Sequence, residues 1–477
     1  MIELAVATLV APLVALALVA LAPRRFLTAV AVATALPAAA LAVTLAVLAV
    51  VRADAPEVGD WVIVDAAGGL LVGVSGVVGL ASVLASPAYL ATTARRPART
   101  YFVLLYAFWA LLLAVPLAGN LGGAWLLVAA TTAPSALLVG FSGKPRALEA
   151  GWKYLILTSL GLGVALLGIV LLAAGLPGGL DGLDWRGLAS YASGADAALV
   201  AYLLLLAGLA AKIGWAPVHN WLPDAHAEAP APVSALLSAA LLPSVLLVAW
   251  RSQQALAPVI GERTAQAALI AFGLVSLAVA VPFLWRSLAW KRLLAYSSLE
   301  HMGVIALAIG FASPLALAGL VVHLLGHAVA KALGFYAATP LLQHEPRAAG
   351  HAATGIARTQ PELAASLGVS LGALAGLPPS PLFASEVLIV AGGFQAGYGW
   401  AAAAAALLLA FGFLGLVHAL LETTAGKARR RPAGNATGLR GVTVFTAAAT
   451  VLLLALAGAA FWLPGSELVS ALAEGVS

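Results

Sequence analysis

The sequence contains no cysteine and few charged residues. The lack of cysteine excludes disulfide bonds, iron–sulfur clusters held by thiolates and structural zinc sites built on sulfur. Charged residues make up 9% of the 477 positions, whereas an average soluble domain has about 25%. A water-soluble fold could not cover so much apolar surface with so few charged groups. Together these absences exclude a thiolate-based redox centre in this chain and a soluble fold.

Hydrophobic residues make up 63% of the chain. Apolar runs of 18 or more residues recur along it, and each is long enough to cross about 30 Å of hydrocarbon as a helix. We therefore predict an all-α membrane protein, a single polytopic domain over residues 1–477. Windowed hydropathy predicts about fourteen transmembrane helices, near 2–22, 26–50, 68–92, 101–118, 121–141, 152–175, 196–222, 232–250, 264–284, 291–311, 314–342, 361–397, 400–422 and 441–463.

Two of the predicted spans contain helix breakers at membrane depth. The seventh is interrupted around Gly214 and Pro217, and the twelfth around Gly376 and Pro381. Irregular backbone at this depth is tolerated only where it is buried in protein or lines a wet cavity. Because the breaks lie five spans apart, we predict two five-helix repeats, spans 4–8 (about 101–250) and spans 9–13 (about 264–422). An odd number of spans inverts the second repeat relative to the first, as in many transporters.

The basic residues are distributed unevenly between the loops. Loops after odd-numbered spans hold 18 of the 24 Lys and Arg residues, loops after even-numbered spans hold four, and two lie within spans. The positive-inside rule then places the odd loops in the cytoplasm and both termini on the outer side of a bacterial cytoplasmic membrane. The net charge of +5 is explained by this orientation, and no nucleic-acid partner is expected.

Three ionisable residues of the eleventh span recur at intervals of four. His323, His327 and Lys331 therefore share one helix face, which must look into the bundle. Imidazoles titrate near neutrality and can pass protons along a hydrated row, so this face is a candidate proton path. The alternative is that these side chains only bond neighbouring helices, as isolated polar residues in membranes often do.

Further ionisable residues lie within or beside spans. Lys212 comes immediately before the first break, where a desolvated lysine could take up and release a proton; the alternative is snorkelling to the interface. Glu386 follows the second break, and its alternative is an interfacial acid at a helix N-terminus. Glu300 and His301 are expected near a helix end, close to a membrane surface. All four join the candidate proton path.

Two histidines four residues apart could also chelate a metal. However, no acid lies between His323 and His327 in the sequence, and His219, Asp224 and His226 belong to a different, loop-like segment. We therefore expect no metal, no haem and no other cofactor in this chain.

Four segments carry a resemblance to a known family. They are residues 212–238 (KIGWAPVHNWLPDAHAEAPAPVSALLS), 291–303 (KRLLAYSSLEHMG), 323–333 (HLLGHAVAKAL) and 376–386 (GLPPSPLFASE). They resemble the antiporter-like membrane subunits of complex I, Mrp antiporters and group 4 hydrogenases. The end of the second segment, Glu300–Gly303, is most similar to the F-type membrane subunit of hydrogenase-4. The resemblance covers roughly residues 70–425, and the family's fourteen helices match the predicted count.

The resemblance implies roles for individual residues. Lys212 resembles the family's central lysine on the first broken helix, and His323, His327 and Lys331 resemble its midplane relay. Glu386 resembles the exit-side residue on the second broken helix. The motif around the breaks comprises Gly214, Pro217, His219, Pro223, Asp224, Pro378 and Pro379.

The sequence departs from the family at two positions. Where the family usually has a glutamate two residues before a Thr-Thr pair, this chain has Ala129, and the family's lysine on the eighth helix falls on Pro243. Lys212 therefore lacks its usual carboxylate partner, which in a medium of low dielectric makes its protonated form costly.

The resemblance implies a membrane-arm subunit of a complex I-like or hydrogenase-4-like redox-driven complex, implicated in proton translocation. Its expected partners are other membrane subunits, a peripheral redox module and the lipid bilayer. One alternative is a redox-independent cation/proton antiporter or an inorganic-carbon-uptake subunit. Another is a paralogue that has lost pumping and only anchors an enzyme, which the loss of the acid at Ala129 favours.

Overall fold

The computed structural model describes residues 1–59, 61–92, 97–427 and 439–475. These residues form an all-α membrane fold, as predicted, in which two two-residue strands, Glu57–Val58 and Ile63–Val64, pair as a short antiparallel hairpin. The helices are α1 (Ile2–Leu21), α2 (Leu27–Val51), α3 (Ala66–Leu90), α4 (Ala98–Ala114), α5 (Leu121–Ala130), α6 (Thr132–Val139), α7 (Pro145–Gly175), α8 (Ala195–Ile213), α9 (Leu222–Glu228), α10 (Ala231–Leu236), α11 (Leu242–Ile260), α12 (Glu262–Leu284), α13 (Trp290–Phe311), α14 (Pro314–Tyr336), α15 (Ala338–His344), α16 (Pro361–Leu374), α17 (Pro381–Gln395), α18 (Gly399–Ala425), α19 (Leu439–Ala459) and α20 (Glu467–Glu474).

The described residues contain thirteen helical segments that are long and apolar enough to cross a bilayer. Two shorter apolar helices, α16 and α17, together cover the predicted twelfth span. Helices are the natural solution for these sequences, because in hydrocarbon every backbone N–H and C=O group must be paired within the chain. The prediction of an all-α, multi-span membrane protein is therefore confirmed.

The helices form a buried centre and a lipid-facing outer layer. The continuous segment from α10 through a π-helical turn, Leu237–Leu241, to α11 is wholly buried across its most apolar stretch, and α13 and α14 are almost as enclosed. In contrast, α1, α2, α7, α18 and α19 bury only a third or less of theirs. They direct large apolar side chains outward, such as Leu160 and Trp400. The enclosed helices are the ones that carry most of the candidate site.

Both broken helices end in the same way. After α8, Gly214 has φ +80°, and after α16, Gly376 has φ +72°; glycine adopts this left-handed conformation without a Cβ clash. The N–H of Trp215 then donates to the carbonyl of Ala210, and the N–H of Leu377 donates to the carbonyl of Gly372. A left-handed glycine followed by a hydrogen bond that reaches back five residues is the Schellman helix end.

Extended and turn segments follow each break before the next helix begins, α9 at Leu222 and α17 at Pro381. The breaks therefore lie where the glycines and prolines predicted them. The grouping of the spans into two inverted repeats stays a prediction. The membrane orientation also stays a prediction, and five of the arginines behind it, Arg95, Arg96 and Arg429 to Arg431, lie outside the described residues.

Candidate functional site

The ionisable residues singled out within the spans are enclosed by protein. Glu386 is half-buried, and the other six are buried, with at most 3% of each residue exposed: Lys212, Glu300, His301, His323, His327 and Lys331. These side chains therefore do not extend to the membrane interface. They form two separate groups, one around Lys212 and one around the histidines of α14.

The Lys212 group contains only neutral partners. Lys212 lies in the last turn of α8 and donates to Thr132 Oγ1 at 2.8 Å and to Tyr154 Oη at 2.7 Å. Its Nζ also lies 4.6 Å from the centroid of the Tyr154 ring. Tyr154 Oη is in turn 2.8 Å from Ser135 Oγ. Among the described residues, Lys212 makes no ion pair.

Ala129 lies three residues before Thr132, and this spacing brings two residues to the same side of a helix. An acid at residue 129 would therefore lie about one helical turn from the hydroxyl that Lys212 contacts. The replacement of the family's glutamate by Ala129 thus removes a carboxylate from the surroundings of Lys212. The missing carboxylate leaves Lys212 with hydroxyl groups and an aromatic face as partners.

The second group joins three helices through a row of hydrogen bonds. His323 on α14 has its Nε2 atom 3.1 Å from His301 Nδ1 on α13, and its Nδ1 atom 2.9 Å from Ser385 Oγ on α17. The His301 ring also lies 5.0 Å from the His327 ring, centroid to centroid. Residues far apart in the sequence thus form one polar row inside the bundle.

The hydrogen-bond network assigns the ring tautomers of this row. Ser385 donates its only hydroxyl hydrogen to the carbonyl of Leu382 at 2.7 Å, so its oxygen must accept from His323 Nδ1–H. In a neutral row, His323 Nε2 is then bare and accepts from His301 Nδ1–H. This leaves His301 Nε2 with a free lone pair, and that buried atom has no hydrogen-bond partner among the described residues. His301 Nε2 is therefore the proton-accepting end of the row.

Lys331 and His327 extend the row along α14. Lys331 Nζ donates to the carbonyl of Leu294 at 2.6 Å and to Ser297 Oγ, both on α13. Neither ring nitrogen of His327 has a hydrogen-bond partner within the described part of the chain. Leaving buried polar atoms unpaired costs about 1–3 kcal/mol each. His327 therefore lies where bridging water is favoured, one turn from both Lys331 and His323.

Glu386 completes the group at the second break. Its side chain faces Gly376, where an added methyl group would lie 2.9 Å from Glu386 Oε2. One ligand atom each of His301, His323 and Glu386 lie within 4.8 Å of one another. The row of histidines thus ends beside a carboxylate that borders irregular backbone.

Among the described residues, these three lie close enough together to hold a single metal ion. Two imidazoles and one carboxylate form a donor set that zinc accepts. In the sequence no acid lies between His323 and His327, and His219, Asp224 and His226 belong to another segment, but the fold supplies Glu386 from α17.

Glu300 does not lie where the sequence placed it. It was expected near a helix end, but it lies in the middle of α13 and is buried. Its Oε1 atom faces Gly412 of α18, and its Oε2 atom has no hydrogen-bond partner among the described residues. The expectation was wrong, because Glu300 lies near the middle both of the predicted span 291–311 and of α13, about three turns from the helix end. Glu300 is thus a carboxylate inside the bundle.

A profile of the family described as "NADH:quinone oxidoreductase/Mrp antiporter, TM" matches residues 118–412, which is more than half of the chain. The chain belongs to this family. The matched region contains both breaks, the Lys212 group and the whole histidine group. The residues that carry the resemblance noted in the sequence therefore lie inside the region that defines the family.

Individual family members show the same relationship. The chain is 35% identical over 281 residues to "Hydrogenase-4 component F homolog" of Methylacidiphilum infernorum, and the alignment covers 58% of this chain and 59% of that relative. It thus spans less than two thirds of the relative's length.

A chain of respiratory complex I from Thermus thermophilus has a TM-score of 0.81 at 22% identity, covering 98% of both chains. A chain of the Mrp complex from Dietzia sp. DQ12-45-1b has a TM-score of 0.81 at 20% identity, covering 99% of this chain and 97% of that one. These two likenesses show a common fold.

The family's motif around the first break has structural roles as well. Asp224 accepts from Arg292 at 2.7 Å and from Lys153 at 3.3 Å, which ties α9 to α13 and α7. Pro217 lies within the break and Pro223 in the first turn of α9, while Pro378 and Pro379 lie within the second break. His219 lies in the first break, 9% exposed. None of these residues contacts the histidine row through the hydrogen bonds of the described residues.

Lys291 and His226 are buried ionisable residues that the sequence analysis missed. Lys291 is 7% exposed although it follows a loop, and His226 is fully buried on α9. Lys291 was counted as a loop charge, and His226 was considered only as a metal ligand in a loop. Both belong to the segments that resemble the family, so the signal was present. Local sequence could not show that the short helix α9 packs against α13 and α7.

Proposed function

We propose that this chain conducts protons across the membrane as a membrane-arm subunit of a complex I-like or hydrogenase-4-like redox-driven complex. The observation that carries this proposal is the buried row from His301 through His323 to Ser385, with Glu386 beside it. A proton that reaches His301 Nε2 allows His301 to pass its Nδ1 proton to His323 Nε2, and His323 then passes its own Nδ1 proton to Ser385 Oγ as the Ser385 hydroxyl releases its hydrogen toward Glu386. Each step exchanges one hydrogen bond for another and needs no redox group in this chain.

The resting tautomers favour one direction for the first transfer along the row. The accepting lone pair lies on the α13 side, near His327, whereas the donating end points to α17 and Glu386. Lys331 and His327 therefore supply protons, and Glu386 receives them beside the second break. Glu300 is a further buried carboxyl group of the bundle, on the same helix as His301.

The proposed setting is a bacterial cytoplasmic membrane, with both termini on the outer side. Other membrane subunits and a peripheral redox module are the proposed partners, and the membership of family relatives in complex I and Mrp complexes supports an assembly of several subunits. The rival of a redox-independent antiporter or carbon-uptake subunit predicts Mrp-like or carbonic-anhydrase-like partners instead. Identification of the proteins that co-purify with a tagged copy separates these proposals.

A second candidate function is an anchor that no longer pumps. The specific observation in its favour is that, within the described part of the chain, the hydrogen-bond partners of Lys212 are neutral. The histidine row argues against it, because a purely structural role does not require imidazoles with free buried nitrogen atoms.

The transport proposal is tested by Glu386→Gln in the purified complex, reconstituted into proteoliposomes with a pH-sensitive dye inside and a potassium diffusion potential imposed. Glutamine keeps the size and polarity of the side chain but cannot carry a proton, so proton movement should be lost. Glu362→Gln, on the exposed first turn of α16, is the matched control and should behave like the parent. Parental proton movement in Glu386→Gln contradicts the proposed route.

A further inference from the structure

A cavity lies at the end of the bundle that the loop charges predict to be cytoplasmic. It has a volume of about 340 Å³ and is lined, among others, by Lys144, Glu228 and Lys291. Lys144 is exposed, so the cavity borders water. A site of this size with polar groups on its wall holds several water molecules. Water can therefore approach the buried centre from this side.

Lys291 forms the inner wall of this cavity. Its Nζ atom donates to the carbonyl of Ala227 at 3.0 Å and to the carbonyl of Ala229. Among the described residues it has no carboxylate within ion-pair distance. The ammonium group of Lys291 donates two of its three hydrogens to these carbonyls, and the third is left to bond water. Lys291 thus lies at the boundary between the cavity and the protein interior.

His226 lies directly behind this boundary, next in sequence to Ala227. It is fully buried, and neither of its ring nitrogens has a hydrogen-bond partner among the described residues. Its ring stacks on Phe335 of α14, with the centroids 5.3 Å apart. His226 is thus linked to Lys291 through the carbonyl of the neighbouring Ala227, and to the helix that carries Lys331 through its contact with Phe335.

Two helices continue from this point to the proposed proton row. On α14, Phe335 lies one turn beyond Lys331. On α13, the carbonyl of Leu294 that accepts from Lys331 lies one turn beyond Lys291. His301 follows ten residues after Lys291, about 15 Å along the helix axis. The cavity and the row are thus connected along one side of α13.

We propose that Lys291 and His226 form a proton inlet that delivers protons from the cavity to Lys331 without using Lys212. This inference rests on the proposed function and adds a route to it. A proton from cavity water binds a His226 nitrogen, and the opposite ring nitrogen releases its proton to the neutral amine of Lys331. Lys291 bonds the chain beside His226 and holds the inner edge of the water-filled region. The proposal explains how the chain can supply the row although Lys212 lacks an acid.

The transport test uses variants that preserve the packing. His226→Phe keeps a ring stacked on Phe335 and removes both nitrogens, and His226→Gln keeps a polar group of similar reach. Lys291→Met keeps the length of the side chain but removes the donors for the carbonyls of Ala227 and Ala229 that hold the inner edge of the water-filled region. We expect all three to lower proton movement in the reconstituted complex by about tenfold or more. His351→Phe, at an exposed position, is the control and should match the parent.

The cavity itself is tested without transport, because the chain has no native cysteine. Ala231→Cys, on the cavity wall, should react with a membrane-impermeant thiol reagent from the cytoplasmic side. Ala235→Cys, one turn deeper on α10 and fully buried, should react at least about tenfold more slowly. Equal labelling of the two overturns the inlet whatever the transport result.

The outcomes separate the inlet from the proposed function. Parental rates in any of the three inlet variants, while Glu386→Gln is inactive, overturn the inlet and leave the function standing. Parental rates in Glu386→Gln overturn the function. Loss of proton movement in the inlet variants, with Lys212→Met still active, supports the inlet.

Discussion

Replacement of Lys212 by methionine tests whether the first half of the molecule carries protons. At an effective dielectric constant of 20, a carboxylate 4 Å from an ammonium group stabilises the ammonium form by about 4 kcal/mol. This chain has Ala129 instead of that acid, so the ammonium form of Lys212 loses this stabilisation. Because each 1.4 kcal/mol is about a factor of ten, the population of the ammonium form relative to the neutral amine falls about a thousandfold. We therefore expect the neutral amine at rest.

The structural cost of the substitution is small by the same reasoning. Methionine has nearly the length of lysine and suits the fully buried site. Tyr154 keeps its contact with Ser135, whereas Thr132 Oγ1 loses a partner, which costs about 1–3 kcal/mol. The variant should therefore assemble with its partners and retain the parental rate of proton movement in dye-loaded proteoliposomes. Collapse of transport in a correctly assembled Lys212→Met complex would refute the reasoning, because it would show that Lys212 carries protons.

The converse change is Ala129→Glu. The new carboxylate would lie about one turn from Thr132 and should restore the ammonium form of Lys212. We expect Ala129→Glu to change the rate of proton movement. This change should disappear when Ala129→Glu is combined with Lys212→Met. An identical effect with and without the lysine would show that the glutamate acts by another route.

Two further predictions concern the orientation and the histidine row. Single cysteines at exposed Lys427 and exposed Ala55 should be labelled by an impermeant maleimide only from the cytoplasm and only from outside, respectively; the position next to Lys427, Ala428, lies outside the described residues. Labelling of both from the same side would contradict the predicted orientation. Ser385→Ala removes the acceptor that sets the His323 tautomer and should slow proton movement by about tenfold. Ser385→Thr keeps the hydroxyl and should largely restore it, and equal rates in both would exclude a role for the hydroxyl.

Much of the architecture could be predicted because it depends on local sequence. Apolar runs determine where helices can cross a bilayer, and glycine and proline determine where they stop. The spacing of His323, His327 and Lys331 was sufficient to place them on one face of α14. These features need no knowledge of which helices are neighbours.

The parts that could not be predicted depend on contacts between distant segments. The contact of His323 with both His301 and Ser385 requires three helices to meet at particular rotations. The burial of Glu300 and of His226 depends on how α13 packs against its neighbours. Hydropathy reports how apolar a segment is, but it does not report which side chains meet inside the bundle.

The central claim is that protons pass along the buried row that includes His327. Its most direct test is the rate of proton movement in proteoliposomes that contain the purified complex with His327→Ala. A methyl group neither relays a proton nor bonds water, and among the described residues His327 makes no side-chain hydrogen bond that would be lost. The account predicts an assembled complex in which proton movement is abolished or strongly reduced. Proton movement at the parental rate would contradict it and would reduce the row to helix packing.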